Sequence, residues 1–123
     1  LAGEAANGAV AHVGLTVDAP NPLMLKFKAN FYQDYKYISD HNGIKGYTGM
    51  YLMKAAIEKA GKLDRKLVAQ TLHGLSVSAA KHPGVLMDVS VDANGDLDRE
   101  SFVVEVKDGK QVVKEILPPL SKK

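Results

Sequence analysis

The sequence of 123 residues contains no cysteine. This absence excludes disulfides, thiol chemistry and zinc sites built from cysteine. No apolar run approaches the roughly 20 residues that a membrane-spanning helix needs. Neither sign of charge is in clear excess, because 16 basic and 14 acidic side chains give a net charge of +2. A chain so balanced does not indicate nucleic acid or an anionic membrane surface as a partner.

Motifs that mark catalytic, metal or phosphate sites are also missing. The four histidines form no H-x-x-x-H or H-E-x-x-H pair, so no metal and no cofactor are predicted. There is no G-x-S-x-G nucleophile motif. Gly43, Gly46 and Gly49 are spaced differently from a G-x-G-x-x-G loop and follow a polar loop rather than a strand. Their three-residue spacing is typical of close helix packing.

The first two thirds of the chain predict one strand and three helices. The apolar stretch 9–17 is bounded by turn residues on both sides and predicts a strand with apolar residues on both faces. A helix is predicted from Pro22, with Asn21 as its cap. A polar loop is expected at 35–43, followed by a strong helix that ends at Gly61. Asp64 caps a third helix, which ends at Gly74.

From Pro83 the hydrophobic period changes to two, and three strands are predicted. Their sequences are "GVLMDVSV", "ESFVVEVK" and "KQVVKEI", and the Asp108-Gly109 pair between the last two indicates a tight hairpin. Because the helices and the later strands are segregated along the chain, this order taken alone reads as α+β. The first strand has no neighbour close in sequence, so its partners must be the last strands or residues outside this chain.

The stretch "VDANGDLDRE" suggests a calcium loop at first sight, since Asp92, Asn94 and Asp96 alternate. An EF-hand loop needs glycine at its sixth position and glutamate at its twelfth. Counted from Asp92, these positions hold Leu97 and Val103. The Asn94-Gly95 pair instead favours a turn after a strand. We therefore predict a turn with no bound metal.

The same C-terminal region, "GVLMDVSVDANGDLDRESFVVEVKDGK", resembles the substrate-binding proteins of branched-chain amino acid ABC transporters, which are type I periplasmic binding proteins. "LAGEAANGAVAHV" is similar to a late strand of that family, and "DAPNPLMLKFKANFYQDY" to the helix that follows it. "YTGMYLMKAAIEKAGKLDRKLVAQTLHGL" resembles the paired helices before the closing strands. The resemblance is co-linear over nearly the whole chain. It implies an α/β fold, as the C-terminal fragment of a two-lobe protein.

The resemblance also assigns segments to lobes. Residues 1–17 would finish a strand of the second lobe, 18–99 would belong to the first lobe, and 100–123 would form the closing hairpin of the second lobe. The chain begins at Leu1 rather than Met, so we expect an N-terminal remainder of the protein to precede it. Either that remainder or a swapped copy of the chain would supply the surfaces that a complete lobe needs.

The candidate ligand-binding residues are Asp40, His41, Asn42 and His12. By resemblance, the polar loop with Asp40–Asn42 faces the cleft between the lobes, where some relatives place a ligand-contacting side chain. His12 shares a strand face with Val10 and Gly14. By resemblance, its strand ends near a crossover between the lobes. From the residues alone, His41 also reads as an exposed loop histidine and His12 as a half-exposed strand residue.

The resemblance implies a solute-binding component of an ABC importer. It would capture an amino acid or another small carboxylate, aromatic acids included, by hinge closure and would catalyse no reaction. Its partners would be that ligand and the transporter permease, with no nucleic acid, in the periplasm or outside the cell. Two alternatives stay open: a small α+β enzyme that uses His41 or His12 as a base, and a sensory or interaction module.

Overall fold

The computed structural model describes residues 3–122. The helices are α1 (Pro22–Tyr35), α2 (His41–Ala60) and α3 (Arg65–Leu72). The strands are β1 (Val10–Val13), β2 (Ser76–Val77), β3 (Val89–Val91), β4 (Leu97–Arg99), β5 (Ser101–Lys107) and β6 (Lys110–Leu117). The chain divides into two compact units. Unit 1 comprises Leu1–Ile44 with Glu100–Pro118, and unit 2 comprises Lys45–Arg99 with Pro119–Lys123.

Unit 1 contains an antiparallel sheet in the order β1-β5-β6. The partner of the first strand is therefore one of the last strands, which was one of the two sources that the sequence left open. Val13 lies opposite Phe102, and Phe102 lies opposite Ile116 on the other side. Phe102 and Val104 point into the core while their neighbours along β5 are only half-buried, which is the period-two pattern of a strand with one buried face.

Strand β1 is shorter than the predicted 9–17 because a turn follows it. The Thr16 hydroxyl oxygen accepts the backbone N–H of Asp18, and the Thr16 carbonyl accepts that of Ala19. Such a local side-chain bond gives the backbone an alternative to the sheet ladder. Leu15 and Val17 are buried without belonging to the strand.

Helix α1 begins as predicted, with Pro22 in its first turn and the Asn21 side chain accepting the Met24 backbone N–H at 2.8 Å. Met24 and Phe27 are its buried residues. The helix ends at Lys36, whose φ of 61° is left-handed and whose N–H bonds to the Tyr32 carbonyl. That conformation is unusual for a residue with a Cβ.

Unit 2 contains α3, most of α2 and a second antiparallel sheet in the order β2-β3-β4. Asp64 caps α3 as predicted, accepting the Leu67 N–H at 3.0 Å. The turn between β3 and β4 is also as predicted, and Gly95 adopts a φ of 92° there. Two short strands, β2 and β4, were not predicted, because two- and three-residue strands carry too little alternation to be recognised.

Candidate ligand-binding site

Asp40 ends the connection between α1 and α2 and caps the second helix. Its Oδ1 atom accepts the backbone N–H of Gly43 at 2.9 Å, and its Oδ2 atom lies 3.4 Å from the Asn42 side-chain nitrogen. The bond from Gly43 is the main reason why the pKa of Asp40 lies below its ordinary value. The carboxylate is therefore ionised at neutral pH, and its Oδ2 atom is only weakly engaged.

His41 and Asn42 do not lie in a loop, which corrects the sequence prediction. They form the first turn of α2, since that helix begins at His41 rather than after Gly43. The polarity of "SDHNG" suggested a loop. An aspartate can also cap a helix, however, when its side chain accepts the backbone N–H of the residue three positions later, as Asp40 does from Gly43. Both side chains are exposed.

Ser39 packs against this first turn of α2, a role that the sequence did not indicate. It is buried, at 3% exposure, and its hydroxyl donates to the Asp40 carbonyl oxygen at 3.1 Å. A Cβ on Gly43 would overlap the Ser39 hydroxyl. The absence of a side chain at position 43 therefore lets the first turn of the helix pack against Ser39. This packing positions Asp40–Asn42.

His12 lies on β1 opposite Val103 and is exposed. Its Nε2 atom is 3.0 Å from the Ser101 hydroxyl, and this contact joins residues 89 apart in sequence. Within residues 3–122, no hydrogen bond or ion pair connects His12 with Asp40, His41 or Asn42. Nor does a carboxylate bond to the imidazole there, as it would in a Ser-His-Asp arrangement.

Unit 2 holds a separate cavity of about 260 Å³ beside the first half of α2. Lys45 and Arg99 line it together with the Thr48 side chain. Lys45 and Arg99 form no motif in the sequence, because more than fifty positions separate them. In the described part of the chain, no group of three or more histidine, aspartate or glutamate side chains is arranged to hold a metal ion.

The sequence matches the model of the periplasmic binding protein family over residues 1–111. The chain belongs to this family. The resemblance noted from the sequence is thereby confirmed. A search of the curated proteins finds no match to the chain.

Solved structures of periplasmic binding proteins share the fold. A solute-binding protein of an ABC transporter from Rhodopseudomonas palustris BisB5, in complex with 3,4-dihydroxybenzoic acid, matches with a TM-score of 0.76 at 21% identity, over 98% of this chain and 34% of that one. A leucine-binding protein from Thermotoga maritima matches with a TM-score of 0.72 at 25% identity, over 95% and 33%.

A second solute-binding protein from R. palustris, in complex with benzoate, matches with a TM-score of 0.76 at 21% identity, over 97% of this chain and 32% of that one. The chain thus spans about a third of the length of these structures. The fold is that of type I periplasmic binding proteins, as the resemblance implied. Two of these relatives are solute-binding proteins of ABC transporters, and the third is a leucine-binding protein. None of the helices in residues 3–122 combines the length and hydropathy needed to cross a membrane.

Proposed function

We propose that this protein is the solute-binding component of an ABC importer in the periplasm. The family match over residues 1–111 carries this proposal. The solute is an amino acid or another small carboxylate, aromatic acids included, held between two lobes that close about a hinge. In support, relatives with this fold were solved with benzoate and 3,4-dihydroxybenzoic acid, and another is a leucine-binding protein.

In this proposal, residues 1–17 and 100–123 belong to the second lobe and 18–99 to the first. These lobes are those of the complete binding protein, and their bounds differ from those of unit 1 and unit 2. The remainder of the protein, or a swapped copy, supplies the surfaces that complete each lobe. The transporter permease receives the solute from the closed form.

Asp40–Asn42 are the residues that we propose contact the solute. The exposed side chains of His41 and Asn42 offer hydrogen bonds from a turn fixed by Ser39 and Gly43. The ionised Asp40 suits the ammonium group of an amino acid, because the Asn42 side-chain nitrogen lies 3.4 Å from its Oδ2 atom and leaves this oxygen weakly engaged. His12 is a further candidate contact, already oriented by Ser101.

Calorimetry tests this proposal on the protein as its gene encodes it, with leucine, benzoate and 3,4-dihydroxybenzoate as probes. At least one probe should bind and should reduce the radius of gyration measured by X-ray scattering, as expected for hinge closure. The double substitution His41→Ala with Asn42→Ala should weaken binding roughly ten- to hundredfold, the loss expected for hydrogen bonds to a charged group.

Asn30→Ala is the matched control, since Asn30 is an exposed amide on α1 with no hydrogen bond within the described residues. It should leave the affinity unchanged. Equal affinity of the double variant and the parent protein would remove Asp40–Asn42 from the site. Binding of a probe without any change in the radius of gyration would contradict hinge closure.

A further inference from the structure

The cavity in unit 2 lies between one face of α2 and one face of the β3–β4 pair. The helix contributes Lys45, Thr48, Gly49 and Leu52, whose spacing of three, four and seven residues places them on one side of a helix. From the sheet, Val89 lies opposite Arg99 on the neighbouring strand, and Leu97 lies two residues before Arg99. These three side chains therefore share one face of the sheet.

Arg99 is a half-buried cation without a partner in this cavity. No hydrogen bond or ion pair to its guanidinium occurs within residues 3–122, and burial lowers the pKa of this group. The guanidinium still stays protonated at neutral pH. Removing such a charge from water is costly unless an anion compensates it. The environment of Arg99 thus favours an anionic ligand.

The carboxylates adjacent to Arg99 in sequence do not compensate it. Asp98 points to the opposite face of β4, and its two oxygens accept the backbone N–H groups of Leu120 and Ser121 at 2.7 and 2.9 Å. Glu100 is exposed and also alternates away from the Arg99 face. The charge of Arg99 is therefore open to an anion from outside the described residues.

Lys45 adds a second positive charge to the same cavity and likewise has no ion pair in the described part of the chain. Its carbonyl accepts the Thr48 hydroxyl at 3.4 Å, which places Thr48 in the wall next to the lysine backbone. A planar guanidinium with a nearby ammonium is a suitable arrangement for a carboxylate, which the guanidinium can bind through two parallel hydrogen bonds.

The rest of the wall is apolar or empty. Leu52, Val89 and Leu97 present hydrocarbon, and a Cβ placed on Gly49 would meet no atom within 4 Å. A volume of about 260 Å³ falls just below the range of typical pockets for drug-sized ligands, so only a small molecule fits. The ligand should combine one anionic group with a short apolar body.

We propose that the cavity lined by Lys45 and Arg99 is a binding site for a small organic acid, with the carboxylate on the two cations and the apolar body beside Gly49. This site is built from unit 2 alone, whereas Asp40–Asn42 belong to unit 1. It therefore does not depend on the proposed function.

Nuclear magnetic resonance titration of the intact protein with benzoate tests this site directly. Benzoate should shift the amide signals of 45–52 and 89–99, and inorganic phosphate, which lacks an apolar body, should bind at least tenfold more weakly. Arg99→Gln should weaken benzoate binding roughly ten- to hundredfold. Arg65→Gln is the matched control, because Arg65 is an exposed arginine at the start of α3 that does not line the cavity.

A second variant keeps the proposal testable if Arg99→Gln unfolds the protein. Gly49→Leu leaves both charges in place and fills the space beside the helix, so it should abolish the benzoate shifts while the circular dichroism spectrum stays unchanged. Unaltered benzoate shifts at 45–52 and 89–99 in Gly49→Leu would overturn the proposal, and so would an equal affinity for phosphate measured from these signals.

The carboxylate could instead come from an aspartate or glutamate side chain in the rest of the protein. In that case benzoate would not shift these signals, and Arg99→Gln would lower the melting temperature of the ligand-free protein. Those two results together would overturn the proposal that the ligand is a free acid. The His41→Ala and Asn42→Ala double variant should leave the benzoate shifts at 45–52 intact. Failure of importer function at Asp40–Asn42 is thereby distinguished from failure of this site.

Discussion

The aromatic ring of Tyr51 lies against the backbone of Gly84, so closely that a Cβ on Gly84 would overlap carbons of the ring. Gly84 is buried in a short 3-10 helix, Pro83–Val85. Tyr51 lies in the middle of α2, and its ring centroid is 5.0 Å from that of Tyr47, with the two rings tilted by 48°. Position 84 therefore requires glycine because of a close approach, with no need for a left-handed backbone.

Gly84→Ala should destabilise the protein by about 1–3 kcal/mol, the usual cost of forcing extra atoms into a packed site. The free energy of unfolding, measured by denaturant titration, checks this. Gly46→Ala is the matched control, since a Cβ there meets nothing within 4 Å and alanine favours a helix. It should be neutral or stabilising. Equal effects of the two substitutions would contradict the close contact.

Asp98 should fix the segment Leu120–Ser121 through hydrogen bonds whose strength depends on pH. Hydrogen bonds from Ser121, its hydroxyl first and then its backbone N–H, lower the pKa of Asp98 below the ordinary value of 3.8. A depressed pKa means that the stabilisation is fully present above the unfolded-state pKa and is lost as the pH falls through the folded-state pKa. Amide exchange of Leu120 and Ser121 should therefore be slow at neutral pH.

Acid should release this segment, in a window that begins below pH 3.8. Asp98→Asn should remove the pH dependence, and Asp98→Ala should accelerate exchange at neutral pH but not below the window in which acid has already released the segment. Equal exchange at Leu120 in the parent protein and in Asp98→Ala would show that the carboxylate does not fix the segment.

The turn at 92–96 should remain closed without calcium. The Asp92 Oδ1 atom accepts the backbone N–H groups of Asn94 and Asp96 at 2.8 and 2.9 Å, so this oxygen already serves the turn. Asp92→Ala should cost about 0.5–1.5 kcal/mol of stability, and Asp92→Asn, which keeps an acceptor oxygen, should cost less. Calorimetric detection of calcium binding tighter than about 1 mM, absent in Asp92→Ala, would contradict the prediction.

The 123-residue chain on its own should not behave as a closed monomer. Val10, Ala11 and His12 are exposed although the sequence of β1 is that of a covered strand, and this chain spans about a third of its solved relatives. We expect self-association or partial unfolding, with fast amide exchange at 9–13. Sedimentation as a compact monomer, with one cooperative melt and strong protection of that segment, would support an independent domain instead.

The sequence was most informative where one local chemical rule decides the backbone. The caps Asn21 and Asp64 and the Asp108-Gly109 hairpin are all where the sequence placed them, since each depends on a side-chain acceptor or a positive φ within a few residues. The family could also be recognised, because several motifs of moderate specificity occur in the family's order over nearly the whole chain.

Two features were missed. The start of α2 was placed too late, because the polarity of residues 39–43 indicated a loop and outweighed the capping signal of Asp40. The cavity lined by Lys45 and Arg99 was not predicted, because the pairing of β4 with β3 decides which face of the sheet carries the arginine.

The pairing of β1 with β5 also has a consequence for synthesis on the ribosome. His12 and Ser101 are in contact although 89 residues separate them in the chain. At roughly 5–20 residues per second, the first strand therefore waits several seconds or more after its own synthesis before its partner strand exists. During that interval Val10–Val13 is an unpaired segment able to associate with other strands. Its brevity and the interrupting histidine reduce that risk until the chain is nearly complete.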